Sequence, residues 1–357
     1  MTDTADTELE GEAPILPDLI RKLGRGETLD IAEAEAAFGA VMAGRATPVQ
    51  MAALLVAIRT RRETAAEVAG GVRALRHAMI PVPAHAPDEL VDTCGTGGGA
   101  LTTFNISTAA ALVAAGAGVR IAKHGNRSFS SRSGSADVLE ALGVTIELSP
   151  EAMGDVLAEC GIVFMYAPLL HPAMRHVGPI RRELAMPTIM NLLGPLTNPA
   201  GARRQVVGVA DPAALELVAH ALGYLGHARA LVVHGEPGLD ELSPLGPTRV
   251  FELQDGDVRT YDVHPRDFGI DGLDAHDLRG GDPAFNARVV EAVLEGKSRG
   301  AARAATTMNA GAAIYVAGLA PSLAAASARA ERAIDDGEAY HALERLRAAT
   351  ARRKDGH

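Results

Sequence analysis

Gly95, Gly97, Gly98 and Gly99 place four glycines in five positions of the segment Asp92-Thr93-Cys94-Gly95-Thr96-Gly97-Gly98-Gly99. Without side chains, successive backbone N–H groups can close on an anion. Thr103, Asn105, Ser107 and Thr108 follow, bringing hydroxyl and amide groups to the start of an apolar run at 107–115, whose helix N-terminus would add oriented donors. The chemistry indicated is phosphate binding. Residues 95–100 also fit a loose G-x-G-x-x-A dinucleotide fingerprint, but that motif wants an acid about 20 residues on, at the end of the next strand. Lys123 and His124 stand there instead, and a cationic strand end suits phosphate rather than a ribose diol. There is no G-x-x-x-x-G-K-[ST] loop.

Lys123-His124-Gly125-Asn126-Arg127-Ser128-Phe129-Ser130-Ser131-Arg132-Ser133-Gly134-Ser135 carries three cations and five serines, with no acid before Asp137. Lysine supplies a point charge and the hydroxyls and glycine amides supply short hydrogen bonds, which again suits a polyanion. Further on, Gly238-Leu239-Asp240-Glu241-Leu242-Ser243 sets two carboxylates side by side. Such a pair is often only solvated, but beside phosphate-binding loops it fits Mg²⁺, which takes a few carboxylates together with substrate phosphates. A last polar stretch runs from His171 through Arg175, His176, Arg181 and Arg182 to Gly194-Pro195-Leu196-Thr197-Asn198-Pro199. His171 and His176 have the wrong spacing for one helix face and no third ligand nearby, which argues against zinc. Any one of the three arginines could clamp a carboxylate, and composition does not choose among them.

The elements that must position these loops follow from capping signals and apolar periodicity. Thr47-Pro48-Val49-Gln50 and Thr64-Ala65-Ala66-Glu67 are capping boxes, so the early chain reads as a small helical unit, closed by Pro81, Pro83 and Pro87. From residue 90 short apolar runs alternate with helical segments: 90–93, 119–122, 162–167, 205–210 and 230–233 as strands, with helices at 107–115, 135–142, 172–184 and 213–225. Strands alternating with helices imply an α/β fold with a mostly parallel central sheet. Hairpin strands at 250–253 and 258–263 and Ala-rich helices over 286–349 complete the chain. Each unusual loop follows a strand, where ligands of open α/β sheets sit.

The bulk composition bounds the rest. At 357 residues with 47% apolar content, the chain can bury one large or two coupled cores, although only 3% is aromatic and Trp is absent. A net charge of −10 disfavours nucleic acid and anionic membranes as partners. No apolar run reaches the roughly 18 residues of a membrane span. Two cysteines, Cys94 and Cys160, read as reduced thiols of a cytoplasmic protein. Residues 1–14, acidic and polar, read as a disordered tail.

Taken together and in order, these segments resemble the anthranilate phosphoribosyltransferase family over nearly the whole chain after residue 15. Its Gly-Thr-Gly-Gly loop is present as Gly95 to Gly98, its Asn-x-Ser-Thr as Asn105 to Thr108, and its Lys-His-Gly-Asn-Arg as Lys123 to Arg127. The Asp-Glu pair is Asp240 and Glu241, and the Gly-Pro-Leu-Thr-Asn-Pro run is Gly194 to Pro199. The resemblance implies transfer of the phosphoribosyl group of phosphoribosyl pyrophosphate (PRPP) to the amine of anthranilate, with Mg²⁺, in tryptophan biosynthesis. It implies a helical domain at 15–83, completed by helices around 168–187, and a PRPP-binding α/β domain at 88–166 and 188–357. A hinge would join them, and a homodimer would form through the helical part.

By position, the resemblance assigns PRPP to Gly95, Gly98, Gly99, Thr103, Asn105, Ile106, Ser107, Thr108, Lys123 and Ser135. The stretch His124, Gly125, Asn126, Arg127, Ser128, Phe129, Ser130 and Ser131 would wrap its phosphates. Ser107, Asp240 and Glu241 would hold Mg²⁺. Anthranilate would meet Gly95, Asn126 and Arg181, with His124 and Pro195 lining its path. No catalytic nucleophile or base is implied. The family usually has Asp-Gly after its Gly-Thr-Gly-Gly, where this chain has Gly99 and Ala100. Two rivals remain: a pyrimidine nucleoside phosphorylase of the same fold, which would release base from thymidine, and a non-catalytic nucleic-acid binder, against which the acidic charge argues.

Overall fold

The computed structural model describes residues 15–128 and 132–354; the segment read as a disordered tail, and Phe129, Ser130 and Ser131, lie outside them. The chain opens with four helices, Ile15–Gly24, Ile31–Met42, Pro48–Arg61 and Ala65–Ala78. Both expected capping boxes form. Thr47 Oγ1 accepts from Gln50 N at 3.2 Å while Gln50 Oε1 accepts from Thr47 N at 2.9 Å. Thr64 and Glu67 repeat the exchange at 3.2 and 2.9 Å. Satisfying these otherwise orphaned N–H groups fixes where each helix begins.

Seven strands follow: β1 (Val91–Gly95), β2 (Ile121–Gly125), β3 (Ile162–Tyr166), β4 (Arg204–Gly208), β5 (Arg229–Gly235), β6 (Thr248–Gln254) and β7 (Asp257–Val263). They form one sheet in the order β3-β2-β1-β4-β5-β6-β7, parallel through β5 and closed by the antiparallel pairs β5–β6 and β6–β7. From β1 the chain first builds outward through β2 and β3. It then returns to the other flank of β1 with β4. The crevice at the carboxyl ends of β1 and β4 is therefore the topological switch point, where such sheets bind ligands.

Strand side chains alternate between two cores. Val206, Leu231 and Val233 point into a core shared with the helices Ile106–Gly116 and Ala301–Val316. Val207, Ala230 and Val232 point into another, shared with the helix Leu215–Tyr224 and with the N-terminal helices. The second core also takes in Val177, Ile180, Met190 and Leu193, so the segment after β3 packs with the N-terminal helices. Every residue of Ala301–Val316 is buried; its alanines let neighbouring helices approach closely, which is how a chain so poor in aromatic residues fills its interior.

Two expectations from the sequence need correction. The run at 172–184, read as one helix, is a 3-10 turn at Pro172–His176 and a separate helix at Gly178–Leu184. Pro179 lacks the N–H that a continuous helix would need, so the helix restarts there. The helix Pro150–Cys160 has no counterpart among the expected elements, although its signals are present: Ser149 accepts from Ala152 N, Pro150 opens the first turn, and Gly161 ends it in the left-handed conformation.

Candidate active site

The loops at the switch point interlock through backbone-to-carboxylate bonds. Gly97 N donates to Asp240 Oδ2 at 3.0 Å, and Ala100 N donates to Gly238 O at 2.9 Å. Ser107 N, in the first turn of the helix after the glycine loop, donates to Glu241 Oε1 at 3.1 Å. The acidic loop can lie this close only because of glycine. A Cβ on Gly208, at the end of β4, would sit 1.6 Å from Asp240 O, and one on Gly95 would sit 2.6 Å from Asp240 Oδ2. Lys123 completes the cluster from β2, its Nζ donating to Thr93 O and lying 3.5 Å from Ser107 Oγ. The glycine loop, the lysine strand end and the acidic pair, far apart in sequence, thus converge.

Burial dominates the electrostatics of this cluster. Burial, reinforced by the charge of Asp240, pushes Glu241 up to about 8, and burial also raises Asp240. Burial lowers the Lys123 ammonium, opposed by Asp92 and Glu241. Among the described residues no group of three or more His, Cys, Asp or Glu side chains could hold a metal. The arrangement is two carboxylates and a hydroxyl facing the glycine loop. Gly99 lies in the same contact: a Cβ there would be 3.2 Å from Asp240 Oδ1. An aspartate at this position would crowd a further carboxylate onto Asp240, and its replacement by glycine leaves the pair alone.

Thr103 pairs with Arg279 in an isolated bridge. Asn105 does not cap its helix with its side chain. Instead its Oδ1 accepts from Asn286 Nδ2 at 2.9 Å and its Nδ2 donates to Ser133 O at 3.1 Å, tying the helix start to the serine loop. Ile106 and Thr108, at the start of the helix Ile106–Gly116, are buried. Ser135 Oγ donates to Asn126 O at 3.2 Å, and Ser128 N donates to Asp137 Oδ2. Arg127, expected on phosphate, is otherwise engaged: it donates to Asp137 at 3.0 Å, to the Tyr166 hydroxyl at 3.2 Å and to Glu140. The acids that hold it sit in the helix Ser135–Ala141 that follows the serine loop.

A second compartment adjoins the first. His124, Asn126 and Arg181 line a cavity of about 370 Å³ with Leu75, Pro168, Met190 and Gly194. Of the three candidate arginines, Arg175 and Arg181 reach it, and Arg182 does not. Arg175 donates to Pro172 O, whereas the Arg181 side chain has no hydrogen-bond or ion-pair partner among the described residues, and burial lowers its pKa. A partly desolvated guanidinium facing an apolar cavity calls for an anion. Gly95 and Pro195 do not line this cavity; the Pro195 carbonyl accepts from Gln205 Nε2 at 2.6 Å, beside Cys94.

Three residues matter more than the sequence indicated. Asp92, fully buried on β1, accepts from His124 N at 3.2 Å and from Asn198 Nδ2 at 2.8 Å. Burial raises it to about 6, against the attraction of Lys123. Asn198 also donates to Ala122 O at 2.8 Å, so the Gly194-to-Pro199 run fastens β1 to β2 near their amino-terminal starts. An acid inside an apolar strand was the available signal. His171 meets His124 rather than His176, with 3.1 Å between their Nε2 atoms.

Residues 17–79 match the helical bundle domain, and residues 87–340 the a/b domain, of the glycosyl transferase family. An anthranilate phosphoribosyltransferase of Rubrobacter xylanophilus is 53% identical over 93% of this chain and 96% of its own length, and one of Symbiobacterium thermophilum is 49% identical over 94% and 97%. The solved anthranilate phosphoribosyltransferase of Thermus thermophilus superposes with a TM-score of 0.88 at 47% identity, covering 94% of this chain and 99% of that one. The Saccharomyces cerevisiae enzyme in complex with PRPP and Mg superposes with a TM-score of 0.86 at 27% identity, covering 95% and 99%. The chain belongs to the anthranilate phosphoribosyltransferase family.

Proposed function

We infer that the chain transfers the phosphoribosyl group of PRPP to the amine of anthranilate, giving N-(5-phosphoribosyl)anthranilate and pyrophosphate, in tryptophan biosynthesis. The observation that carries the assignment of sites is the adjacency of two unlike compartments. One is a glycine, lysine and carboxylate cluster suited to a pyrophosphorylated sugar; the other is an apolar cavity with an arginine that has no partner among the described residues, suited to an aromatic acid. PRPP lies across Gly95 to Gly99, Thr103 to Thr108, Lys123 to Ser131 and Ser135. Anthranilate enters the cavity with its carboxylate on Arg181, beside Asn126 and His124.

Buried neighbouring carboxylates whose protons are held too tightly fit a hard divalent cation, and a homologue was solved with PRPP and Mg. Asp240, Glu241 and Ser107 would hold Mg²⁺, which when bound supplies charge neutralisation to the leaving pyrophosphate. Lys123 and the loop N–H groups add fixed positive charge at the same place. The attacking aryl amine is already neutral at physiological pH, so the site needs no strong base before attack. Alignment of the two substrates supplies much of the remaining acceleration.

The test follows anthranilate fluorescence. Its loss should require PRPP and Mg²⁺ together, and Arg181→Ala should raise the KM for anthranilate by about tenfold or more while leaving that for PRPP within about twofold. Fluorescence loss without PRPP, or release of base from thymidine, would overturn the assignment.

The same reading divides the chain into a helical part, 15–83 with 168–187, and an α/β part, 88–166 with 188–357, working in the cytoplasm as a homodimer through the helical part. Exposed apolar side chains at Val49, Leu169 and Met186 support an interface there. No described helix is long and apolar enough to cross a membrane. Sedimentation equilibrium should give twice the 37.0 kDa chain mass. A mass of one chain at micromolar concentration would exclude the dimer.

A further inference from the structure

We propose that His124 and His171 form a two-histidine relay that carries the proton released by the attacking amine out of the closed site. The inference rests on the reading above, in which anthranilate occupies the cavity that both rings line.

Each neutral imidazole has one N–H and one bare nitrogen. The Nε2 atoms of His124 and His171 lie 3.1 Å apart, with ring centroids 4.9 Å apart and planes at 57°. A hydrogen bond across that distance, which relieves the repulsion of two bare nitrogens, places one proton between the two Nε2 atoms. Among the described residues no group pairs with either Nδ1, so the pair always presents one bare Nδ1 and one protonated Nδ1 at its ends. Both rings are neutral at physiological pH, burial holding His124 down at about 3 and His171 at about 4. Their backbones are fixed: His124 N donates to Asp92, and His171 N donates to Ala167 O at 3.0 Å, at the end of the short helix Ala167–Leu170. His124 is buried and His171 is partly exposed, which gives the pair an inner and an outer end.

The step balances. The amine nitrogen bonds to the anomeric carbon as the carbon–pyrophosphate bond breaks, and the nitrogen becomes positively charged. Its surplus proton passes to the bare Nδ1 of His124. The shared proton moves from His124 Nε2 to His171 Nε2, and His171 gives its Nδ1 proton to solvent. Each ring ends neutral with one proton but in the other tautomer; once product leaves and water enters, His124 Nδ1 gives its proton to water, the shared proton returns to His124 Nε2 and His171 Nδ1 takes a proton from solvent, which resets the pair. A substituted anilinium is strongly acidic, so an acceptor of low basicity suffices, and a ring that never charges in the resting state does not repel Arg181. His171 acts through His124, as a positioning and proton-conducting residue.

The test compares wild type with His171→Gln, which keeps a hydrogen-bonding partner for His124 but cannot relay. Single-turnover transfer from PRPP to anthranilate should slow by about tenfold or more, with both KM values within about twofold. The solvent deuterium isotope effect on that rate should rise as proton release becomes limiting. In His171→Ala, added imidazole should restore a substantial part of the rate by occupying the vacated space. A rate within about twofold of wild type with an unchanged isotope effect overturns the relay, as does loss expressed only in KM, or no rescue by imidazole in a folded His171→Ala protein. If wild type itself fails to join anthranilate to PRPP, the functional reading fails and the relay with it.

Discussion

Asp240→Asn combined with Glu241→Gln should lower kcat/KM by about a thousandfold or more at saturating Mg²⁺, while the protein remains folded. The amides keep an oxygen for Gly97 N and Ser107 N but remove both charges that would hold the metal. Wild-type turnover in this variant at any Mg²⁺ concentration would end the metal assignment. A second readout needs no substrate. In protein stripped of metal, Glu241 titrates at about 8 when folded and near 4.5 when unfolded, because burial and Asp240 disfavour its charge. The folded state then binds more protons between those values, so stability is greatest below about 4.5 and declines as pH rises through about 8. Thermal midpoints of the metal-free wild type should fall across that window. The double variant should lack that component of the fall, and an identical slope in both proteins would contradict the burial argument.

Gly208→Ala should reduce turnover by about a hundredfold or more and lower the thermal midpoint as well. The added Cβ would lie 1.6 Å from Asp240 O and 2.5 Å from its carbonyl carbon, so the acidic loop must move by about an ångström or more. Misplacement of that size commonly costs about a hundredfold in rate. Gly24→Ala, where a Cβ meets nothing within 4 Å, serves as the control and should leave both quantities nearly unchanged. If Gly208→Ala matches wild type in steady-state rate and melting, the close approach of the acidic loop to β4 is not what positions the carboxylates.

Much of this is readable from residue order because it depends on local rules. Thr47 with Gln50, and Thr64 with Glu67, announce helix starts by chemistry confined to four residues. The strands β1 to β5 announce themselves by apolar runs followed by glycine or cationic loops. Convergence of Lys123, Ser107 and the Asp240 and Glu241 pair follows once those loops are placed after parallel strands. What residue order hides depends on partners distant in the chain. The bond from Asn198 to Asp92 spans 106 residues and that from His171 to His124 spans 47. Nothing in either neighbourhood marks which side chain it will meet. Arg127 is a subtler case: its type suggests phosphate, but Asp137 and Glu140, in the helix Ser135–Ala141 that closes the serine loop, already pair with it. Arg181 is indistinguishable from Arg175 and Arg182 until burial separates them.

β4 carries both interiors of the molecule at once, with Val206 facing one and Val207 the other, and it ends in the glycine against which Asp240 rests. The same short peptide that packs against helices on both sides of the sheet therefore also seats the acidic pair. Packing on the two sides of the sheet and the placement of Asp240 are, in this molecule, set by one five-residue strand rather than by separate elements.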